Sequence, residues 1–213
     1  MAETEGAAGI LNRETERLCL EFANTADWHA SDHPEEKLNR YIDLVAWAHR
    51  MGILTDREVH QLSREAARRP AEAGAVVERA IALREAIYRV LSAVVGHCTP
   101  EAADLSILNG ALSGALARLQ VVQVGDAFTW RWTGHEAALD RVLWPVVRSA
   151  ADLLTSEKLA RVGKCADERG CGWLFLDMSR NRTRRWCDMK DCGNRAKAKR
   201  HYHRKRSSNH ISK

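Results

Sequence analysis

Two segments, Cys165-Ala-Asp-Glu-Arg-Gly-Cys171 and Cys187-Asp-Met-Lys-Asp-Cys192, carry four of the six cysteines of this 213-residue chain. Four thiolates close a tetrahedron around zinc and leave no open position, so such a site is structural. The last fifty or so residues contain too few bulky apolar side chains for a core, and metal ligation worth roughly 10–16 kcal/mol can supply the missing stability. The sequence therefore predicts one structural Zn²⁺ ion held by Cys165, Cys171, Cys187 and Cys192.

Other uses of these cysteines stay open at this point. Two disulfides are disfavoured, because residues 1–6 lack the basic and apolar parts of a signal peptide, so an intracellular protein is expected, and reducing compartments keep thiols free. A redox switch is an alternative, since basic neighbours lower the pKa of a thiol. Catalytic zinc would require His201 or His203 to displace a cysteine. Cys19 and Cys98 lie apart from the cluster, and both are predicted to be small buried apolar residues.

The residues around the cysteines predict a hairpin and a helix. Gly170 and Gly172 flank Cys171 and allow the backbone to turn tightly around a metal. Apolar residues 173–176 predict a strand, so residues 160–184 can form a small hairpin, and residues 193–204 predict a helix. A hairpin followed by a helix, with a ligand pair at the start of each, is similar to a treble-clef finger.

Charge is distributed very unevenly along the chain. Residues 179–213 contain 13 Lys and Arg and two acids, a net charge of +11, whereas residues 1–178 contain 20 Lys and Arg and 26 acids, a net charge of −6. A basic segment that also holds cysteines and aromatic residues indicates a nucleic-acid partner rather than a solubilising tail, and duplex DNA is the partner we expect. The candidate contact residues are Arg180, Arg182, Arg184, Arg185, Arg195, Lys197, Lys199, Arg200 and Arg204.

Their spacing gives two further expectations. If residues 180–184 are extended, Arg180, Arg182 and Arg184 point to one face. At 100° per residue on the final helix, Arg195, Lys199 and Arg206 share one side, while Lys197, Arg200 and Arg204 share the opposite side. Arg195 and Arg200 are candidates for pairing with guanine, although phosphate contact is commoner.

The preceding residues predict a helical body with one β-hairpin. Apolar residues recur at helical spacing from residue 11 to about 154, as in the stripe Leu105, Leu108, Leu112 and Leu116. Thr55 and Glu58 match a capping box. Strict alternation over residues 120–132 predicts a hairpin, and Pro145 is expected to kink the helix predicted from about residue 135. We therefore predict a mainly α protein, with a helical domain over residues 1–155 and a finger over residues 156–213.

The helical domain offers weaker functional signals. It has no Gly-rich phosphate loop and no catalytic constellation, so enzymatic activity is not expected. A small-molecule receptor is an alternative, with a pocket lined by Asn24, Thr25, Asp27, Trp28, His29 and His49, and the domain could also dimerise. RNA or ribosome binding is a second alternative for the basic segment, because Trp186 and Tyr202 could stack on bases. No apolar run is long enough to span a bilayer, and a cytoplasmic, nucleoid-associated protein is expected.

The segment Cys192-Gly-Asn-Arg195, with Ser179-Arg-Asn-Arg-Thr-Arg-Arg-Trp-Cys187 before it, resembles the CGNR zinc finger of bacterial proteins. The stretch Cys171-Gly-Trp-Leu-Phe-Leu-Asp177 is similar to the first ligand hairpin of that family. Upstream, Leu18-Cys-Leu-Glu-Phe-Ala-Asn-Thr25 and Tyr41-Ile-Asp-Leu-Val-Ala-Trp47 resemble the ABATE domain that precedes this finger. The resemblance implies a transcription regulator, proposed to respond to stress, in which Cys165, Cys171, Cys187 and Cys192 hold zinc.

Overall fold

The protein is described here by a computed structural model, which covers the backbone of residues 15–134 and 137–210 and the side chains of residues 17–134 and 137–202. Most of these residues are helical. The helices are α1 (Thr15–Ala23), α2 (Tyr41–Arg50), α3 (Asp56–Arg68), α4 (Pro70–Val95), α5 (Ala102–Leu116), α6 (Leu143–Leu154) and α7 (Asn194–His210). The strands are β1 (Ala26–Asp27), β2 (Glu35–Glu36), β3 (Leu119–Val124), β4 (Ala127–Trp132), β5 (Val162–Lys164) and β6 (Leu174–Leu176).

Helix α4 lies at the centre of the helical body. Its 26 residues begin with Pro70 in the first turn, where a missing N–H costs no hydrogen bond, and extend roughly 39 Å. Val76, Leu83 and Ile87 lie on its buried face. Helices α1, α2, α3, α5 and α6 surround it, so that one continuous apolar core fills the body.

Of two sequence-based predictions about individual helices, one is confirmed and the other is wrong. The predicted capping box is confirmed, because the Thr55 hydroxyl accepts from the Glu58 N–H and the Glu58 carboxylate accepts from the Thr55 N–H. The predicted kink at Pro145 is wrong. Helix α6 begins at Leu143, after the 3₁₀ turn Leu139–Val142, so the proline lies in the first helical turn and disturbs no ladder.

The predicted β-hairpin is confirmed as strands β3 and β4. They pair antiparallel with Leu119 opposite Trp132 and Val124 opposite Ala127, which leaves a two-residue turn. Gly125 takes a φ of +60° in that turn, a value that glycine adopts without strain. The mainly α class with a C-terminal cysteine cluster is therefore confirmed.

Residues 35–36 precede α2 and pair with residues 26–27 as a short ladder. One expectation about the body needs correction. Cys19 is buried as expected, with its N–H bonded to the Ser149 hydroxyl, but Cys98 is exposed. Cys98 lies in the loop between α4 and α5 rather than on a packed face, which is why its apolar character does not bury it.

Strands β5 and β6 pair antiparallel, with Val162 opposite Leu176. Leu174 and Leu176 are buried in the same core cluster as the residues of helices α1 to α6. The second hairpin is therefore packed into the helical body and does not stand apart from it. No helix in the described ranges has the length and apolar composition needed to cross a bilayer.

Candidate metal centre and its basic surroundings

The sulfur atoms of Cys165, Cys171, Cys187 and Cys192 all lie within 4.8 Å of one another. The distance from Cys171 Sγ to Cys187 Sγ is 3.7 Å, and that from Cys187 Sγ to Cys192 Sγ is 3.5 Å. Four sulfurs at 2.3 Å from a tetrahedral zinc would be about 3.8 Å apart. The cluster therefore fits one zinc ion, bound by four thiolates and without an open position.

Crowding of the four thiols shows why they need a cation. Hydrogen bonding from Cys187 lowers the pKa of Cys171 to about 5, so one thiolate is readily tolerated. The same hydrogen bond raises the pKa of Cys187, and burial raises that of Cys192, because further negative charge is unfavourable there. A divalent cation reverses this preference and holds all the sulfurs deprotonated.

Arg195 joins the two cysteine segments beside the cluster. Its Nη2 donates to Cys192 Sγ at 2.8 Å and to Asp167 Oδ2 at 3.0 Å, and its Nη1 donates to the Asp191 carboxylate. Its guanidinium also lies 5.5 Å from the ring centroid of Trp28. Arg195 thus places a positive charge next to a site that four thiolates make negative, and it ties the first segment to the start of α7.

Local backbone geometry places each cysteine pair. Gly170 and Gly172 take φ values of +88° and +67°, and they turn the chain around Cys171. In the second pair, the Asp188 side chain accepts from the Lys190 N–H and begins a π-helical turn, Met189–Gly193, that leads directly into α7. This turn carries Cys192, so the end of the second segment is also the start of the basic helix.

Asn24 fixes strand β6 to the helical body. Its Nδ2 donates to the Leu174 carbonyl and its Oδ1 accepts from the Leu174 N–H, both at 2.9 Å. Both residues are buried. The amide side chain therefore replaces a neighbouring strand, because it satisfies both backbone groups of one residue in β6.

The loop after β1 covers the cluster from the side of the helical body. Trp28 packs against the cysteines, and the guanidinium of Arg169 lies 4.9 Å from the centroid of the Trp28 ring. The Ala30 N–H donates to the Gly170 carbonyl at 3.0 Å. A Cβ atom at Gly170 would lie 2.6 Å from the backbone of Ser31, so only glycine permits this close approach.

A second contact connects the cluster to α4. The Tyr88 hydroxyl donates to the Gly172 carbonyl at 3.2 Å, and the Tyr88 ring stacks on His29 with centroids 3.6 Å apart. His29 Nε2 lies 3.0 Å from Glu85. Burial alone would raise the pKa of Glu85, but His29 and Arg84 outweigh it and lower that pKa to about 2. The metal centre thus rests on a buried, charge-paired part of the body.

The loop between β6 and Cys187 is organised by Asp177. One carboxylate oxygen accepts from the Ser179 N–H at 2.8 Å and the other from the Arg184 N–H at 2.9 Å. The pKa of Asp177 is lowered, chiefly by a hydrogen bond from the Ser179 side chain and further by these two backbone hydrogen bonds. The segment is looped rather than extended, with Arg182 at a φ of +51°. The condition under which Arg180, Arg182 and Arg184 would share one face, an extended strand, is therefore not met.

Three of the nine predicted contact residues are engaged inside the finger. Arg184 donates to the carbonyls of Trp186 and Cys187 and lies 4.4 Å from the ring centroid of Phe175. Arg195 is held at the cluster, and Lys199 pairs with Glu168. The two sides predicted for the final helix are thus unequal, because the side with Arg195 and Lys199 faces the first cysteine segment.

The remaining predicted residues with described side chains are exposed and, within the described part of the chain, are paired with no carboxylate. Arg185 and Arg200 both approach the Trp186 ring, at 5.5 and 5.9 Å from its centroid. We call the set the basic surface; it consists of Arg180, Arg182, Arg185, Lys197 and Arg200. The side chains of Arg204 and Arg206 lie outside the described residues.

The six residues predicted to line a pocket have other contacts. Asn24, Trp28 and His29 hold the finger, as described above, and Thr25 donates to the Phe22 carbonyl. Asp27 pairs with Lys37, and His49 pairs with Asp56. Sequence reasoning noticed the polar cluster that follows α1 but missed its role. Two features of the sequence could have indicated this role. Asn24 directly follows the apolar helix α1, and Trp28 is a large apolar residue in a loop, outside any helical repeat.

Comparison with family models gives two adjacent matches. Residues 16–157 match ABATE, described as "Putative stress-induced transcription regulator", and residues 161–205 match the CGNR zinc finger. No curated protein matches the chain significantly. The ABATE match covers about two thirds of the sequence, and the zinc-finger match contains all four clustered cysteines. The chain therefore belongs to the ABATE family and carries a CGNR zinc finger after its helical domain.

Proposed function

We propose that the protein is a transcription regulator that binds duplex DNA through the basic surface of its zinc finger. The observation that carries the proposal is a set of five exposed cations that have no carboxylate partner among the described side chains and that belong to one zinc-stabilised unit. Phosphate contacts by such residues supply most of the affinity of a protein for nucleic acid. The ABATE match supports a regulator, and duplex DNA is a partner that fits such a role.

The arrangement of the finger favours a folded surface over a loose basic tail. The loop with Arg180 and Arg182 is held by Asp177, and the helix with Lys197 and Arg200 begins at a metal ligand, Cys192. A depression of about 390 Å³ lies beside the loop. It is lined by Asp177, Met178, Ser179, Thr183, Arg184, Arg185, Trp186 and Met189.

Duplex DNA is favoured over single-stranded RNA by the state of Trp186. Its ring is half-buried against the cysteine cluster and has a guanidinium from Arg185 and another from Arg200 nearby. A ring in that position is less available for stacking on a splayed base than a fully exposed one. The two guanidinium groups, in contrast, remain at the surface for phosphates.

The test is a fluorescence titration of a labelled duplex with the full-length, zinc-loaded chain at several salt concentrations. If the five cations each neutralise one phosphate, the log–log slope of affinity against salt is about −4.5. Arg182→Ala should make the slope shallower by about 0.9, because it removes one contact. Arg79→Ala, an exposed arginine of α4, is the matched control and should leave the slope unchanged.

Two outcomes would count against the proposal. A slope near zero for the wild-type chain would show that the basic surface does not bind phosphates. A structured RNA that displaces the duplex at equal salt and lower concentration would replace duplex DNA by RNA as the partner.

A further inference from the structure

Two methionines of the finger are exposed beside the basic surface. Met178, two residues after strand β6, is 57% exposed, and Met189, the first residue of the π-helical turn, is 46% exposed. Both residues line the depression next to the loop between β6 and Cys187. Their side chains therefore share one concave patch, although they come from opposite ends of that loop.

The finger fixes the points from which both methionines project. The Met189 thioether lies against Gly193 of the Cys-Gly-Asn-Arg segment, because a Cβ atom at residue 193 would lie 2.8 Å from Met189 Sδ. Any side chain at residue 193 would thus displace the thioether. Met178 directly follows Asp177, whose carboxylate is held by two backbone N–H groups of the loop.

The rest of the depression places positive charge next to these apolar side chains. Arg185 and Trp186 line it, and the guanidinium groups of Arg185 and Arg200 both lie near the Trp186 ring. Among the described residues that line the depression, Asp177 is the one acid, and its oxygens are already hydrogen-bonded. The occupant that suits this patch has an apolar group within reach of negative charges, because the cations would otherwise stay without a partner.

A DNA duplex offers that combination in its major groove. The thymine C5 methyl is the apolar group among the base edges there, and it lies between two rows of phosphates. Contacts to phosphate fix the register of a protein on the duplex, and side chains between those contacts then meet base edges. Methionine is unbranched and polarisable, so it adapts to a methyl group without strict geometry.

We propose that Met178 and Met189 contact thymine C5 methyl groups in the major groove and give the finger a preference for A·T base pairs. The inference rests on the proposed DNA binding, in which the basic surface supplies affinity and the two methionines supply discrimination. Both line a concave patch, which suits a methyl group that enters it better than insertion of a wedge between stacked bases. Each methyl group that a methionine covers should raise affinity about 4-fold, or about 15-fold for two.

The test compares two labelled duplexes, an alternating adenine–thymine duplex and the same duplex with deoxyuridine in place of thymidine. Deoxyuridine lacks the C5 methyl and keeps the phosphates, so the salt slope should be equal on both. The full-length, zinc-loaded wild-type chain should bind the thymine duplex about 15-fold more tightly. Met178→Gln/Met189→Gln should bind both duplexes equally, with the wild-type slope, because glutamine is similar in length, uncharged and polar.

The matched control is Met51→Gln, at a 38% exposed methionine that directly follows α2, and it should discriminate like the wild type. Both finger methionines are largely exposed, so the double variant should keep its zinc, which a zinc-sensitive dye measures. Each single variant, Met178→Gln or Met189→Gln, should retain about 4-fold discrimination.

The outcomes separate this inference from the proposed function. Equal wild-type affinity for both duplexes with the expected salt slope would overturn the thymine contact and leave DNA binding in place. A double variant that discriminates like the wild type would also overturn it. A salt slope near zero on both duplexes would overturn DNA binding and the thymine contact together.

Discussion

Arg195 contacts both a metal ligand and two acidic residues of the finger. Its guanidinium contacts a ligand sulfur and two carboxylates that come from different cysteine segments, Asp167 and Asp191. A planar group with several fixed donors can span these acceptors together, whereas an ammonium group cannot. The arginine of the Cys-Gly-Asn-Arg signature is therefore explained by the zinc site before any contact with DNA is considered.

We expect Arg195→Ala to lower zinc affinity by about 10–100-fold, the usual effect of losing a group that orients or balances metal ligands. Arg195→Lys should restore little of the loss. Competition with a zinc-sensitive dye measures both, and Arg182→Ala, which leaves the cluster untouched, should bind zinc like the wild type. Normal zinc affinity in Arg195→Ala together with lost DNA affinity would assign this arginine to DNA instead.

Asn24 is the residue on which docking of the finger depends most clearly. In Asn24→Ala the buried N–H and carbonyl of Leu174 both lose their partner, at a cost of about 1–3 kcal/mol for each unsatisfied group. Urea unfolding should therefore show a loss of at least about 2 kcal/mol. Asn39→Ala is the control, because Asn39 also bonds a backbone carbonyl but is exposed. Equal stabilities for the two variants would refute this role of Asn24.

At the scale of elements, the sequence predicts those features that depend on interactions between nearby residues or on one shared ion. The alternation of residues 120–132 predicts the hairpin, and the Thr55–Glu58 pair predicts a helix start. The spacing of the four cysteines predicts a shared metal site. Each of these signals involves residues that interact within a few positions or through one ion.

Elements also depart from prediction where a distant or special contact decides. Residues 179–186, which we call the arginine loop, do not form a strand, because Asp177 accepts from two of their N–H groups and Arg182 has a positive φ. Pro145 fails to kink a helix because the helix begins later than its apolar pattern suggests. Helix α5 carries the predicted stripe of four leucines, yet only one of the four, Leu108, is buried.

At the scale of the whole molecule, the finger and the helical body share a core. Leu174 and Leu176 pack among the helices, and Tyr88 and the loop of residues 28–31 contact the first cysteine segment. Composition predicts an acidic body and a basic finger, but it does not predict that the finger packs on the body. Asn24 and Leu174 are 150 residues apart, and no periodic pattern in the sequence indicates that they form hydrogen bonds. The boundary near residue 156 stays a prediction about folding units.

Because the finger and the body share a core, loss of the metal should affect only some parts of the finger. Strand β6 is held by Asn24 and by apolar burial, neither of which needs zinc. The two cysteine segments and the start of α7 converge at the sulfur cluster and at Arg195. Their other described links are an exposed ion pair, Lys199–Glu168, and one backbone hydrogen bond, from the Ala166 N–H to the Arg185 carbonyl. Removal of zinc is therefore expected to release the basic helix and the arginine loop from their fixed relation while the helical body stays folded.

The most direct test of the account is duplex affinity of one full-length sample measured zinc-loaded, after chelation, and after zinc is restored. Affinity should fall on chelation and return with zinc, because the metal holds the cations of the loop and of α7 in one geometry. Equal affinity in all three states would contradict the claim that zinc shapes the DNA-binding surface.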